Sequence, residues 1–150
     1  MTPSPSYLAR KLATLSVREW RELLQAQWAL LVAQATLRRQ PVGELATPAI
    51  GAKDVNVARM PEARRLALAI TRAARFGVFR PQCLARSIAL SRMLNERGIH
   101  GALVRVGVRR ADGQFLAHAW VELAGETLGD ADEHVGSFVP LTNIDVRRPT

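Results

Sequence analysis

The apolar residues of this 150-residue chain change their period near Gly101. Before that point they recur at spacings of three and four, as on one face of a helix; beyond it they alternate, as on one face of a strand. Helices first and an antiparallel sheet second is an α+β order.

Within residues 17–38, Trp20, Leu23, Leu24, Gln27, Trp28, Leu31 and Ala35 share a helical face. Ser16 stands where it caps that helix, with Glu19 three residues on. The expectation is a long amphipathic helix docked through its two tryptophans. Residues 40–56 mix Pro41, Gly43, Pro48 and Gly51 without sustained periodicity and read as a loop or linker. Pro61 suits the first turn of a second helix, whose apolar set Ala63, Leu66, Ala67, Ile70 and Ala74 runs to Gly77. Pro81 precedes a third, with Leu84, Ile88, Leu90, Met93 and Leu94, that ends at Gly98. Two strands are expected at 103–110 and 115–123, joined through Asp112-Gly113, a strong hairpin signal. A further short strand is expected at 137–141, beyond a polar stretch at 125–136.

A chain of this length suits one compact domain, and apolar residues at 48% with charged residues at 23% are the balance of an ordinary globular protein. No apolar run approaches the roughly 20 residues that cross a bilayer. The opening residues lack the basic-then-apolar order of a secretory signal, so the expected location is the cytoplasm. The net charge of +8 is unevenly placed: residues 1–80 hold 13 basic and 5 acidic side chains, residues 81–150 hold 8 of each. A basic half beside a neutral half fits a docking surface joined to a chemical site, and fits equally a solvated basic face.

Cys83 is the sole cysteine, which excludes an internal disulfide and a multi-thiolate metal cage. It falls in the first turn of the third helix, where unpaired backbone amides and the positive end of the helix dipole favour a thiolate. The bland alternative is a buried, inert thiol. His118 shares a strand face with Leu116 and Trp120, opposite Ala117, Ala119, Val121 and Leu123. Thiol catalysis needs such an imidazole near the sulfur and a third polar group to orient it. Asp130, Asp132, Glu133 and Glu122 are the candidates, and spacing does not choose among them. His100 in a turn and His134 in an acidic loop read as surface residues, and Cys83, His100, His118 and His134 include no close pair at ligand spacing.

The run Pro81-Gln82-Cys83-Leu84-Ala85-Arg86-Ser87, a Leu-x-x-x-Gly helix end, a hairpin and then Ala117-His118-Ala119-Trp120-Val121-Glu122 resembles the transglutaminase-like peptidases that mature lasso peptides. The resemblance covers about residues 60–145. It implies a papain-like core and a catalytic Cys83, His118 and Asp130, with Asp130 matched through Gly129-Asp130. Near the helix start, the Cys83 amide and the Gln82 side chain are the sequence-local candidates to hold an oxyanion. Arg86 and Ser87 match as structural residues. The same triad can hand an acyl group to an amine instead of water; since no separate acyl-acceptor site is visible in the sequence, the expected reaction is hydrolysis of a ribosomally made precursor peptide, without a cofactor. The short, separate form of such a peptidase works beside a separate leader-binding protein and a macrolactam synthetase. On that reading residues 57–150 are the peptidase core and residues 1–56 a helical and linker region for partner docking through Arg18, Trp20, Arg21 and Trp28. The rival readings are a noncatalytic basic adaptor and a nucleic-acid-binding protein. The second is prompted by Arg64, Arg65, Arg72 and Arg75 near one helix face, but it lacks a turn-plus-recognition-helix pattern.

Overall fold

The computed structural model describes residues 13–39 and 57–141. Helix α1 (Val17–Arg39) opens on a reciprocal cap. The Ser16 hydroxyl accepts the Glu19 N–H at 3.3 Å, while the Ser16 backbone N–H and hydroxyl each donate to Glu19 Oε2 at 2.8 Å. A 3₁₀ turn (Val57–Arg59) leads into α2 (Met60–Phe76), which has a proline in its first turn, and α3 spans Cys83–Glu96. Gly98, at φ +70, ends α3 in the left-handed region that a glycine enters without strain. The expected linker at 40–56 and the opening residues 1–12 lie outside the described residues.

Strands β1 (Leu103–Ala111) and β2 (Gln114–Leu123) pair antiparallel through a turn in which Asp112 and Gly113 both take positive φ. Two elements not expected from the sequence fall in the polar stretch at 125–136: β3 (Glu126–Leu128), which pairs with β2, and the short helix α4 (Asp132–Gly136). The expected final strand is β4 (Val139–Pro140), which pairs with β1 and gives the sheet order β3-β2-β1-β4. The fold is α+β, helices followed by a small antiparallel sheet. Among the described residues no helix is long and apolar enough to cross a membrane.

The sheet has two differently covered faces. Val121, Leu123 and Leu128 join the main core with α1, α2 and α3, including Leu30, Leu66, Ile70, Met93 and Leu94. On the other face Trp120 forms a smaller cluster with Val135 and Phe138, brought over by α4 and the turn after it. Helix α1 packs on α2 and α3, and α3 packs on β2, so α1 lies behind the helix layer that covers the sheet.

The docked face of α1 is not the expected one. It buries Glu22, Ala26, Leu30 and Ala33, while Trp20, Leu24, Trp28 and Leu31 are exposed. The reason is the close approach that alanine permits. Ala26 and Ala33, both fully buried, let α1 lie tight on its two neighbours, where indole rings would hold the helices apart. The buried charge that this choice brings is met by Arg65 of α2, whose Nε donates to both Glu22 carboxylate oxygens at 2.9 and 3.2 Å.

Candidate active site

Cys83 is the first residue of α3 and is half-buried. Gln82 before it has extended backbone (φ −68, ψ 161), and its exposed side chain makes no capping bond to the helix. The first-turn amides of α3 are therefore not taken by a side-chain cap, which suits them to hold negative charge at the thiol or on a bound carbonyl oxygen. One turn on, the Ser87 hydroxyl donates to the Cys83 carbonyl at 3.0 Å and braces the helix start.

His118 stands on β2 opposite Gly107 of β1. Its ring stacks near Trp120 (centroids 6.2 Å, 19° between planes), leans on Phe138 at 5.3 Å and meets the edge of His134 at 4.9 Å. A Cβ on Gly107 would lie 2.8 Å from the Trp120 ring and 3.0 Å from Phe138 Cβ, so the glycine makes room for this aromatic packing.

The chain leaves β3 at Gly129, whose φ of +82 turns it, and Asp130 follows directly. Asp130 Oδ2 comes to 3.3 Å from His118 Nε2, both side chains being mostly buried. The contact is within ion-pair reach but is not aligned as a hydrogen bond, and among the described residues Nε2 has no hydrogen-bond partner. The other carboxylates proposed for this position are placed elsewhere. Glu122 pairs with Arg105 at 3.3 Å, and Asp132 and Glu133 open α4 with exposed side chains.

Among the described residues no hydrogen bond joins Cys83 Sγ to His118. The imidazole belongs to the strand face that carries Trp120, whereas α3 packs against the face that carries Val121 and Leu123. Asp130 belongs to both surroundings. Besides meeting His118 it lines a small cavity with Arg86 and Ser87 of α3 and Thr71 of α2. His100 stays apart, its Nδ1 3.4 Å from Asn95 Oδ1.

Sequence reasoning missed two neighbours of the imidazole, His134 and Phe138. Their spacing of four residues was the available signal, since one helical turn puts both on the same side, and their rings do meet at 5.4 Å. Among the described residues no group of three or more His, Cys, Asp or Glu side chains is arranged to hold a metal ion.

The four arginines grouped on α2 are largely engaged. Arg64 meets Glu126 at 2.6 Å, Arg65 meets Glu22 at 2.9 Å, Arg72 lies 3.7 Å from Glu19, and Arg75 stacks over Phe76.

Comparison with known proteins bears on the family of the chain. Over 54 residues the chain is 44% identical to the microcin J25-processing protein McjB of Escherichia coli, a stretch that is 36% of this chain and 24% of that protein. The chain thus matches about a quarter of the length of this curated relative. No solved structure matches it significantly. The transglutaminase-like superfamily matches residues 12–143, nearly the whole chain and both sides of the segment at 40–56. An α+β chain with a cysteine at a helix start, a strand histidine and an aspartate beside it, matched over that span, belongs to the transglutaminase-like superfamily.

Proposed function

We propose that this protein is a cysteine peptidase that removes the leader from a ribosomally made lasso peptide precursor. The observation that carries the reading is the His118–Asp130 contact at 3.3 Å, on the strand against which the Cys83 helix packs. The likeness to a microcin J25-processing protein supports this substrate class.

In this mechanism the Nε2–H of His118 donates to Asp130, which leaves Nδ1 as the acceptor for the Cys83 thiol proton. Among the described residues Cys83 Sγ and His118 share no hydrogen bond, and the mechanism requires the two to meet when substrate is bound. The thiolate then attacks the backbone carbonyl carbon at the end of the leader. The Cys83 amide and the Gln82 side chain hold the tetrahedral oxyanion. His118 returns its proton to the departing amine, and the core peptide leaves with a free amino terminus. A water molecule gives a proton to His118 and attacks the thioester; the leader departs as a carboxylic acid and the proton returns to sulfur. Every residue invoked belongs to this chain, and no redox or group-transfer reagent enters.

The substrate is the precursor peptide. Its natural delivery would come through a separate leader-binding protein, with a macrolactam synthetase closing the released core. Incubation with a candidate precursor, with and without that leader-binding protein, followed by mass measurement, tests the reading. Two fragments whose masses sum to the precursor plus one water are expected, and they should vanish with Cys83→Ala. Undiminished cleavage by that variant overturns the thiol mechanism.

A further inference from the structure

We infer that the outer face of α1 is a docking helix for a separate protein that offers an apolar groove rimmed by carboxylates. The helix presents Trp20, Leu24, Trp28 and Leu31, exposed by 40, 65, 68 and 41%, in steps of four, four and three residues. Those steps keep all four on one stripe about 17 Å long, the pattern with which an amphipathic helix fills a groove. Isolated surface leucines need no explanation, but a continuous stripe with two tryptophans does, because large aromatics carry most of the affinity in protein interfaces.

The charge on α1 decides the kind of partner. Its two carboxylates are both turned toward α2: Glu22 is buried against Arg65, and Glu19 lies 3.7 Å from Arg72. Its arginines remain outside. Arg21, Arg38 and Arg39 are exposed and make no ion pair among the described residues, and Arg18 is 65% exposed beside Glu22. The outer face therefore carries positive charge alone around its apolar stripe. A second copy would set two such rims against each other across a two-fold axis, with like charges opposed. An acidic rim is complementary. The face also lies behind α2 and α3 relative to the sheet, so a partner seated there leaves β2 and its histidine uncovered.

The identity of the partner as a leader-binding protein rests on the peptidase reading; the surface and its chemistry do not. The test uses the full chain, titrated by fluorescence anisotropy at two salt concentrations against the candidate leader-binding protein loaded with the precursor's leader. Sedimentation of the chain alone and precursor cleavage are measured in parallel. Leu24→Glu with Trp28→Glu should weaken binding at least tenfold without shifting the melting temperature. Arg21→Glu, on an exposed residue that cannot unsettle the core, should weaken it severalfold, and more at low salt than at high. Acrylamide should quench Trp28 in the free chain, judged against Trp28→Phe, and less so in the complex. Unchanged affinity in both variants overturns the inference, as does a dimer that the stripe variants dissociate, or a Trp28 already shielded in the free monomer. Cleavage of the precursor without any binding overturns the docking face and spares the peptidase. Binding that the variants abolish, in a protein that never cleaves, does the reverse.

Discussion

Gly107 and Trp120 are locked across the hairpin: the indole occupies the space where any side chain on residue 107 would begin, 2.8 Å from the ring. Because Gly107 is also the cross-strand partner of His118, the glycine sets the depth at which the imidazole rests on Trp120 and Phe138. Gly107→Ala should overpack this face at a cost of about 1–3 kcal/mol. Activity should fall further than that loss of stability explains, because the displaced indole moves the histidine. Thermal unfolding and cleavage rate on the same preparation separate the two, and a fully active, equally stable alanine variant would show that the ring has room to move.

The acid beside His118 makes a sharper comparison. Asp130→Asn keeps the shape of the side chain but removes its charge, and on the proposed mechanism, in which Asp130 fixes the tautomer of His118, a loss of about 10²-fold or more in kcat is expected. Asp132→Asn, two residues on at the exposed start of α4, should change it little. A large effect at Asp132 and none at Asp130 would move the orienting role into α4.

The helices were legible in the sequence because each carries local punctuation: Ser16 with Glu19, Pro61 before the α2 stripe, and Gly98 after α3. The hairpin was legible for the same reason, through Asp112-Gly113. What stayed hidden depends on contacts distant in sequence. Helix α1 has apolar residues on more than one face, and its periodicity picked out the tryptophans, whereas packing on α2 and α3 selected the alanines and even the buried Glu22. Strand β3 is three residues long and exists by pairing with Val121, Glu122 and Leu123. At the site, Asp130 was one of four carboxylates until the turn at Gly129 brought it to His118, and His134 reached the same ring from a helix of five residues with no signal of its own beyond the spacing to Phe138.

Glu62 ties the helices together near the end of α3. It accepts from Arg59 at 2.7 and 3.1 Å and from Arg97 at 3.3 Å, and Arg97 in turn donates to Gln25 of α1 at 2.7 Å. Hydrogen bonding from Arg59, helped by its charge and by Arg97, holds the Glu62 carboxyl below its ordinary range against the opposing effect of burial. A depressed folded pKa means that this stabilisation is fully present above the unfolded carboxyl value of about 4.3 and is lost as the pH falls through the lower folded value. Glu62→Gln should accordingly be less stable than the parent by about 1 kcal/mol at neutral pH, and the gap should close in acid. Urea titrations at pH 7 and pH 3 measure both, and a gap that persists at the lower pH would remove the charge from the explanation.

Glu22 tests the packing of α1 most directly, because it is 3% exposed and faces a guanidinium that is itself mostly covered. Removing one member of such a pair leaves the other without its counter-charge, a larger loss than the pair's own net contribution. Among the described residues the buried Nη2 of Arg65 has no hydrogen-bond partner, so Nε and its two bonds to Glu22 are what anchor it. Glu22→Ala should therefore cost about 2–3 kcal/mol, discounted from the fully buried case because a third of Arg65 still reaches water. Pairing that change with Arg65→Met should recover part of the loss, as an apolar side chain of similar length can fill the space without needing a partner. A double variant no more stable than Glu22→Ala alone would mean that Glu22 acts by filling the joint between α1 and α2, and that its charge is incidental.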